Sequence, residues 1–302
     1  MQMKPSVTAI GLIVGLVMAA ALPAAANTLE RIKESGQINL GYSVDARPFS
    51  YSEGSGAPEG YGIDLCKTVA ETAKQQLKLG QLKLNWVRVS KTDYLTKVKD
   101  GSIDLLCVPI NQTLERRAEV SFSIPVFPGG IRAVMRKDAA LSLREALSET
   151  AAPRALWRGS PAAKVLSKKN FGVVGGTLSE SWVENEVHRF QIHSKTIPVA
   201  DYHEGIKQLL DRKLDVFFGD RAVVLGAMDA EASQQLVVLD NLLTFEPYEL
   251  AMARGDDDFR LVVDRTLSDI YRAPGFDEEF FKWFGEYDEK TSLFFQWITV
   301  RP

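Results

Sequence analysis

The chain reads as an α/β protein whose largely parallel sheets are shared between two similar lobes. Three observations predict this class. Short apolar runs of the kind that make buried strands alternate with amphipathic stretches of helical period along the chain. One strand-and-turn unit occurs once in each half. The length, 302 residues, exceeds what a single hydrophobic core usually spans, so division into two domains is expected.

The elements follow in order. Residues 38–42 form a first strand, and residues 63–77 place Ile63, Cys66, Val69, Ala70, Ala73 and Leu77 on one helical face. Residues 82–89 alternate as a strand does, 94–99 make a short helix, and 103–108 are a mostly apolar strand. The second half gives a strand at 171–174, helices at 180–190 and 205–210, and a strand at 214–218. The repeated unit is 98–107 against 210–218. Each copy is a helix end, a tight turn, then Asp104 or Asp215 ahead of buried apolar residues. Residues 133–139 and 250–256 also resemble each other, as extended apolar stretches ending in a charged turn. They read as two strands crossing between lobes, which makes lobe 1 residues 27–132 with 250–302 and lobe 2 residues 133–249. Helices at 259–271 and 277–284 would return to lobe 1. Residues 148–167, with Pro153 and Pro161, look like a surface insertion of lobe 2.

The first 26 residues read as a leader rather than as fold. Lys4 precedes an apolar run, and Ala24 and Ala26 suit a signal peptidase cutting before Asn27, so a cleaved signal peptide and a periplasmic location are expected. The formal net charge is −3, with no basic block, which argues against nucleic acid as a partner. Cys66 and Cys107 are the two cysteines. In an oxidising compartment they read as one disulfide, in preference to two buried thiols. The three histidines, His188, His193 and His203, show no metal-ligand spacing, and no nucleophile elbow or phosphate loop occurs. Hydrolase, NTPase and metalloenzyme functions are therefore disfavoured, and no cofactor is expected.

A set of short motifs then runs in a recognisable order: 29–36 (LERIKESG), 47–50 (RPFS), 60–65 (GYGIDL), 101–105 (GSIDL), 113–116 (TLER), 122–125 (FSIP), Gly175-Gly176-Thr177, 215–220 and 281–284. In this the chain resembles the periplasmic amino-acid-binding proteins of ABC transporters, nearest their glutamate/aspartate-type branch, many of which carry two cysteines. The resemblance implies a type-II two-lobed binding fold with two crossover strands as its hinge. It also implies an amino-acid-like ligand, a membrane permease as partner, a monomer, and no enzymatic activity.

A free amino acid presents a carboxylate and an ammonium on one carbon, so a cleft reading both needs a guanidinium fork and a carboxylate brought together on closure. By the motif match, Arg116 would take the α-carboxylate with help from Asn111. Asp220, ending an apolar strand, would pair with the ammonium or cap the next helix. Thr177 and Glu180 fit a capping box, and Gly176 and Thr177 also suit the cleft wall. Phe49 and Tyr51 follow the first strand, where the family covers the ligand's apolar part; a core role for Phe49 stands beside that. His203 sits where the branch can touch a ligand side chain.

Departures from the family bear on specificity. Pro109 replaces a hydroxyl residue and has no N–H, and Leu178 stands where a second threonine is common. Ser43 and Tyr94 occupy positions where the acidic-ligand branch uses arginines. Weak or absent glutamate binding is therefore expected, and a neutral or aromatic amino acid or derivative fits better. Two rival functions remain at this level. One is a dehydratase of the cyclohexadienyl type, with Asp45 and His203 as candidate acids. The other is an accessory protein of a periplasmic dehydrogenase or sensor, with no transport role.

Overall fold

The computed structural model describes residues 27–302, apart from 55, 149–158, 286 and 288. The leader at 1–26 and the middle of the 148–167 insertion lie outside the described residues. The chain runs through α1 (Thr28–Ser35), β1 (Gln37–Tyr42), a small hairpin of β2 (Asp45–Ala46) and β3 (Ser50–Tyr51), and α2 (Tyr61–Gln76). It continues through β4 (Lys83–Arg88), α3 (Tyr94–Lys99), β5 (Leu105–Asn111), α4 (Leu114–Glu119) and β6 (Val120–Phe122). It then passes to β7 (Ile131–Arg136), α5 (Leu141–Leu147), α6 (Pro161–Leu166), β8 (Asn170–Val174), α7 (Leu178–Arg189) and β9 (Lys195–Val199). Next come α8 (Tyr202–Leu210), β10 (Val216–Asp220), α9 (Arg221–Ala227), α10 (Ala230–Gln235) and β11 (Leu236–Val238). The return is β12 (Tyr248–Ala253), α11 (Asp257–Arg272), α12 (Phe276–Phe284) and α13 (Glu289–Ile298).

Two five-stranded sheets result, ordered β4-β1-β5-β12-β6 and β11-β7-β10-β8-β9. In the first, β1 lies parallel to β4 and β5, and β12 enters antiparallel. In the second, β8, β9 and β10 are mutually parallel and β7 is antiparallel to β10. Each sheet is thus a parallel set completed by a returning antiparallel strand, the two-lobed α/β architecture that the alternating pattern predicts.

The repeated unit performs one job twice. Asp104 precedes β5 and its carboxylate accepts from the Asn39 N–H on β1 at 2.7 Å. Asp215 precedes β10 and accepts from the Asn170 N–H on β8 at 2.8 Å. A carboxylate here satisfies a backbone donor where two parallel strands begin, which fixes their relative register.

The passages between sheets fall earlier in the chain than the strands expected to form them. Residues 133–136 lie in β7 and pair within the second sheet, and β12 pairs within the first. The crossing itself is the pair of segments preceding them. There the Val126 N–H donates to Tyr248 O, the Tyr248 N–H to Phe127 O, and the Glu246 N–H to Gly129 O. The apolar stretches do not serve as an exposed crossing, because each buries side chains on both sheet faces. Gly130 is required in this ribbon: a Cβ would run into the Thr244 carbonyl.

The first lobe's core holds α2 and α11 against its sheet. Ile63, Cys66, Val69, Ala70 and Ala73 of α2 are buried, as the helical period requires. Cys66 and Cys107 form a disulfide with Cα atoms 5.9 Å apart, joining α2 to the central strand β5. Near the crossing the core is aromatic, with Phe127 at 4.6 Å from Phe284 and 5.1 Å from Phe49 between ring centres. The second lobe packs Phe171 on Phe218 with Trp182 beside them. Among the described residues, no helix is long and apolar enough to cross a membrane.

Candidate functional site

Parallel strands bring loop residues together at their carboxyl ends, and in open α/β sheets that edge is where ligands sit. In the first lobe β5 ends at Asn111, with α4 following and the start of α3 alongside. The α4 start is capped by the Thr113 hydroxyl, which accepts from the Arg116 N–H. This turn aims the Arg116 side chain back over the sheet edge. Its Nη1 donates to Asn111 O at 2.7 Å, and its Nη2 reaches the Tyr94 hydroxyl at 3.4 Å. Asn111 in turn donates from Nδ2 to Glu246 O at 3.1 Å, in the crossing ribbon. Arg116, Asn111 and Tyr94 are thus one connected group.

In the second lobe the corresponding edge carries Gly176 and Thr177 after β8, His203 after β9, and Asp220 at the end of β10. The expected capping box is rearranged. Thr177 is the N-cap residue of α7, but its hydroxyl donates to Val174 O at 2.6 Å and makes no cap bond. Glu180 accepts instead from the Gly176 N–H, one residue further back. The left-handed backbone at Gly176 turns that N–H toward the helix start, so the carboxylate meets it first. His203 is exposed in the first turn of α8.

Asp220 is the most deeply set of these groups, only 5% exposed. It caps α9, accepting from the Ala222 N–H at 2.8 Å. Its other oxygen accepts from the Gly130 N–H at 3.0 Å, in the crossing ribbon. The Val223 N–H and the Tyr248 side chain lie beside it. Burial pushes its carboxyl up to about 6, against the pull of the three backbone donors and the Arg132 charge. Burial likewise drives Tyr202 and Tyr248, both beside Asp220, well above the usual phenol range.

The two edges meet. Ala222 packs into the first lobe's core, with Val223 against the same cluster. Gly226 of α9 approaches the Arg47 carbonyl and Pro48 so closely that a Cβ would lie 3.1 Å from that oxygen. A cavity of about 60 Å³ remains beside Asp220, bounded by Phe127, Gly130, Arg132 and Phe284.

Of the sequence-derived residues, the fold gathers Arg116, Asn111 and Tyr94 on one edge and Gly176, Thr177, His203 and Asp220 on the other. Phe49 stands elsewhere: it is 3% exposed, with ring contacts to Phe127, Tyr248 and Phe284 in the aromatic core. Tyr51 is also buried, and the Arg47 guanidinium lies 3.7 Å above its ring. Pro109 is buried against Gly62 at the start of α2. Sequence reasoning missed Tyr248, Tyr202 and Gly130, which line Asp220. Their local signals, a tyrosine at a strand start and a Pro-Gly-Gly turn, carry no hint of that partner.

Residues 38–286 match the model of the bacterial extracellular solute-binding proteins, family 3. The chain belongs to that family. The L-glutamate/L-aspartate-binding protein of Pseudomonas aeruginosa is 28% identical over 290 residues, covering 94% of this chain and 89% of that protein. The ABC transporter glutamine-binding protein of Bacillus subtilis is 26% identical over 261 residues, covering 86% of this chain and 85% of that one. Among solved structures, the ancestral amino acid-binding protein that is a precursor of cyclohexadienyl dehydratase superposes with a TM-score of 0.65 at 22% identity. That match covers 85% of this chain and 99% of the ancestral one, and shows the shared fold. Cyclohexadienyl dehydratase of Pseudomonas aeruginosa aligns with only 38% of this chain and 40% of its own length, at 32% identity. Across the solute-binding family the likeness is therefore of whole chains, whereas with the dehydratase it is partial.

Proposed function

We propose that this family member is the substrate-binding component of an ABC importer for an amino acid or amino-acid-like solute. The two lobes, joined through the paired segments 126–129 and 246–248, close on the ligand. The observation that supports this is the guanidinium of Arg116 at the carboxyl edge of the first sheet, tied through Asn111 to Glu246 in the segment that joins the lobes. Bonds to Asn111 and Tyr94 take two of its five donors, and a planar fork so held suits a carboxylate. Ligand docks on Arg116 and Asn111, and the second lobe brings Gly176, Thr177 and the α7 start over it. The closed form then engages a membrane permease. Closure requires that the ligand favour the closed state, since equal affinity for both would shift nothing. The protein works as a monomer in the periplasm after loss of residues 1–26.

Ser43 and Tyr94, in place of the cationic residues of the acidic-ligand branch, favour a ligand with a neutral side chain. Thermal-shift screening of the mature protein, followed by calorimetry on Arg116→Ala, tests the site. Losing a charge-assisted pair costs roughly 1.5–3 kcal/mol, so affinity should fall by at least about tenfold with little change in melting temperature. Unchanged affinity would remove Arg116 from the site.

A further inference from the structure

We infer that Glu249 is a positioning residue for the anion-binding guanidinium, holding Arg116 through a single peptide unit and holding it more firmly when ionised. This rests on the proposed binding role of Arg116 and deepens it. The peptide between Asn111 and Gln112 is a rigid plane whose carbonyl and N–H point to opposite sides. On one side, Asn111 O accepts from Arg116 Nη1 at 2.7 Å. On the other, the Gln112 N–H donates to Glu249 Oε2 at 3.2 Å, and Gln112 Nε2 donates to Glu249 Oε1 at 2.9 Å. A carboxylate, a peptide and a guanidinium are thus joined by consecutive hydrogen bonds that polarise one another. A tilt of the peptide that lengthens the first bond also displaces the last.

The placement puts this contact at the joint of the lobes. Glu249 is buried on β12, directly after the crossing ribbon, and is paired with Ile110 of β5. Asn111 Nδ2 meanwhile donates to Glu246 O, so residues 111 and 112 grip the chain on both sides of Tyr248. An ionised Glu249 makes charge-assisted bonds, about twice as strong as the neutral bonds left to its protonated form. Burial pushes its carboxyl up to about 7, so both forms are populated near neutral pH. Arg117 of α4 is the charged group that acts on it, opposing that rise. Arg254, Asp257, Arg260 and Asp264 line the groove where Gln112 and Arg117 lie, and Tyr94 of α3 meets the other arm of Arg116. A merely structural contact would hold the turn alike in both protonation states, whereas a charge-assisted one transmits its titration to Arg116.

The test compares the full mature chain with Glu249→Gln, whose amide keeps the shape and stays neutral. NMR from about pH 5 to 8.5 should show the Arg116 Cζ and Gln112 N–H resonances moving together, with one midpoint near 7, in the native protein. Neither should show that midpoint in the variant. Asp220 and His203 are present in both proteins, so the difference isolates Glu249. Gln112→Ala, at an exposed position, removes the Nε2 donor and should raise the shared midpoint, because the charged form loses a bond. Calorimetry follows with whichever of L-glutamine, L-leucine and L-phenylalanine binds. Native affinity should rise roughly two- to tenfold from about pH 5.5 to 8, the range of one net hydrogen bond, while Glu249→Gln binds equally at both. An Arg116 resonance that stays still while Gln112 titrates, or that titrates unchanged in Glu249→Gln, overturns the inference and leaves the binding role standing. Amino-acid binding that survives Arg116→Ala overturns both.

Discussion

Glu249 offers a sharp test of how the hinge is built. It lies on β12 just past the crossing, has no exposed surface, and accepts from the backbone N–H and side-chain Nε2 of Gln112 at 3.2 and 2.9 Å. Desolvation pushes its carboxyl up to about 7, although the Gln112 bonds and the Arg117 charge oppose the rise. The folded protein therefore holds a proton that the unfolded chain, titrating near the reference value of 4.5, has released. Stability from this group is fully present below pH 4.5 and is lost as the pH climbs to 7. The difference, about 2.5 pH units at 1.36 kcal/mol each, is about 3 kcal/mol.

Glu249→Gln removes the titration while keeping one acceptor, and the Gln112 amide can turn to receive the new N–H. Urea unfolding of both proteins at intervals from about pH 4.5 to 7.5 gives the stability difference between them. That difference should move in the variant's favour by about 3 kcal/mol across the range. Asp220, raised to about 6 by burial, has the same sign in both proteins and cancels. A stability difference constant to within about 0.5 kcal/mol over those pH values would refute the reasoning, since a carboxyl raised by a single pH unit already accounts for about 1.36 kcal/mol.

Two further outcomes are expected. Replacing Cys66 and Cys107 together by alanine should cost roughly 4 kcal/mol, read from urea midpoints against the intact protein, because the bridge closes a span of 41 residues. A loss under about 1 kcal/mol would mean the closed loop contributes little. Gly226→Leu should wedge the seam at Arg47 and Pro48, an overpacking cost of about 1–3 kcal/mol borne only while the lobes touch. Small-angle scattering should then report a larger radius of gyration and calorimetry a weaker ligand; wild-type values for both would show that α9 does not seal the lobes.

What repeats and what alternates was legible in the order of residues. Strand and helix periods located the parallel sheets because burial follows a local pattern of side chains. The recurrence of an aspartate before 105–107 and 216–218 announced two lobes because the same strand-start bond is made twice. The cysteines, within one apolar helix face and one apolar strand, met as expected. The turn that holds Arg116 was legible in the residues 113–116, since the Thr113 hydroxyl caps it within a few residues.

What surrounds each charge came from contacts between distant segments. Asp220 meets Gly130 across 90 residues, and Glu249 meets Gln112 across 137. The crossing ribbon lay in the segments before the expected strands, because pairing within each sheet outcompetes an apolar run's use as a connector. Phe49 went to the aromatic core rather than the cleft because Phe127, Tyr248 and Phe284, brought from three distant segments, surround it. Local period states which residues are buried. Which donor fills a carboxylate's lone pair depends on segments that only the closed fold brings within about 3 Å, so the Asp220 cap on α9 was readable in the sequence whereas its bond to the Gly130 N–H was not.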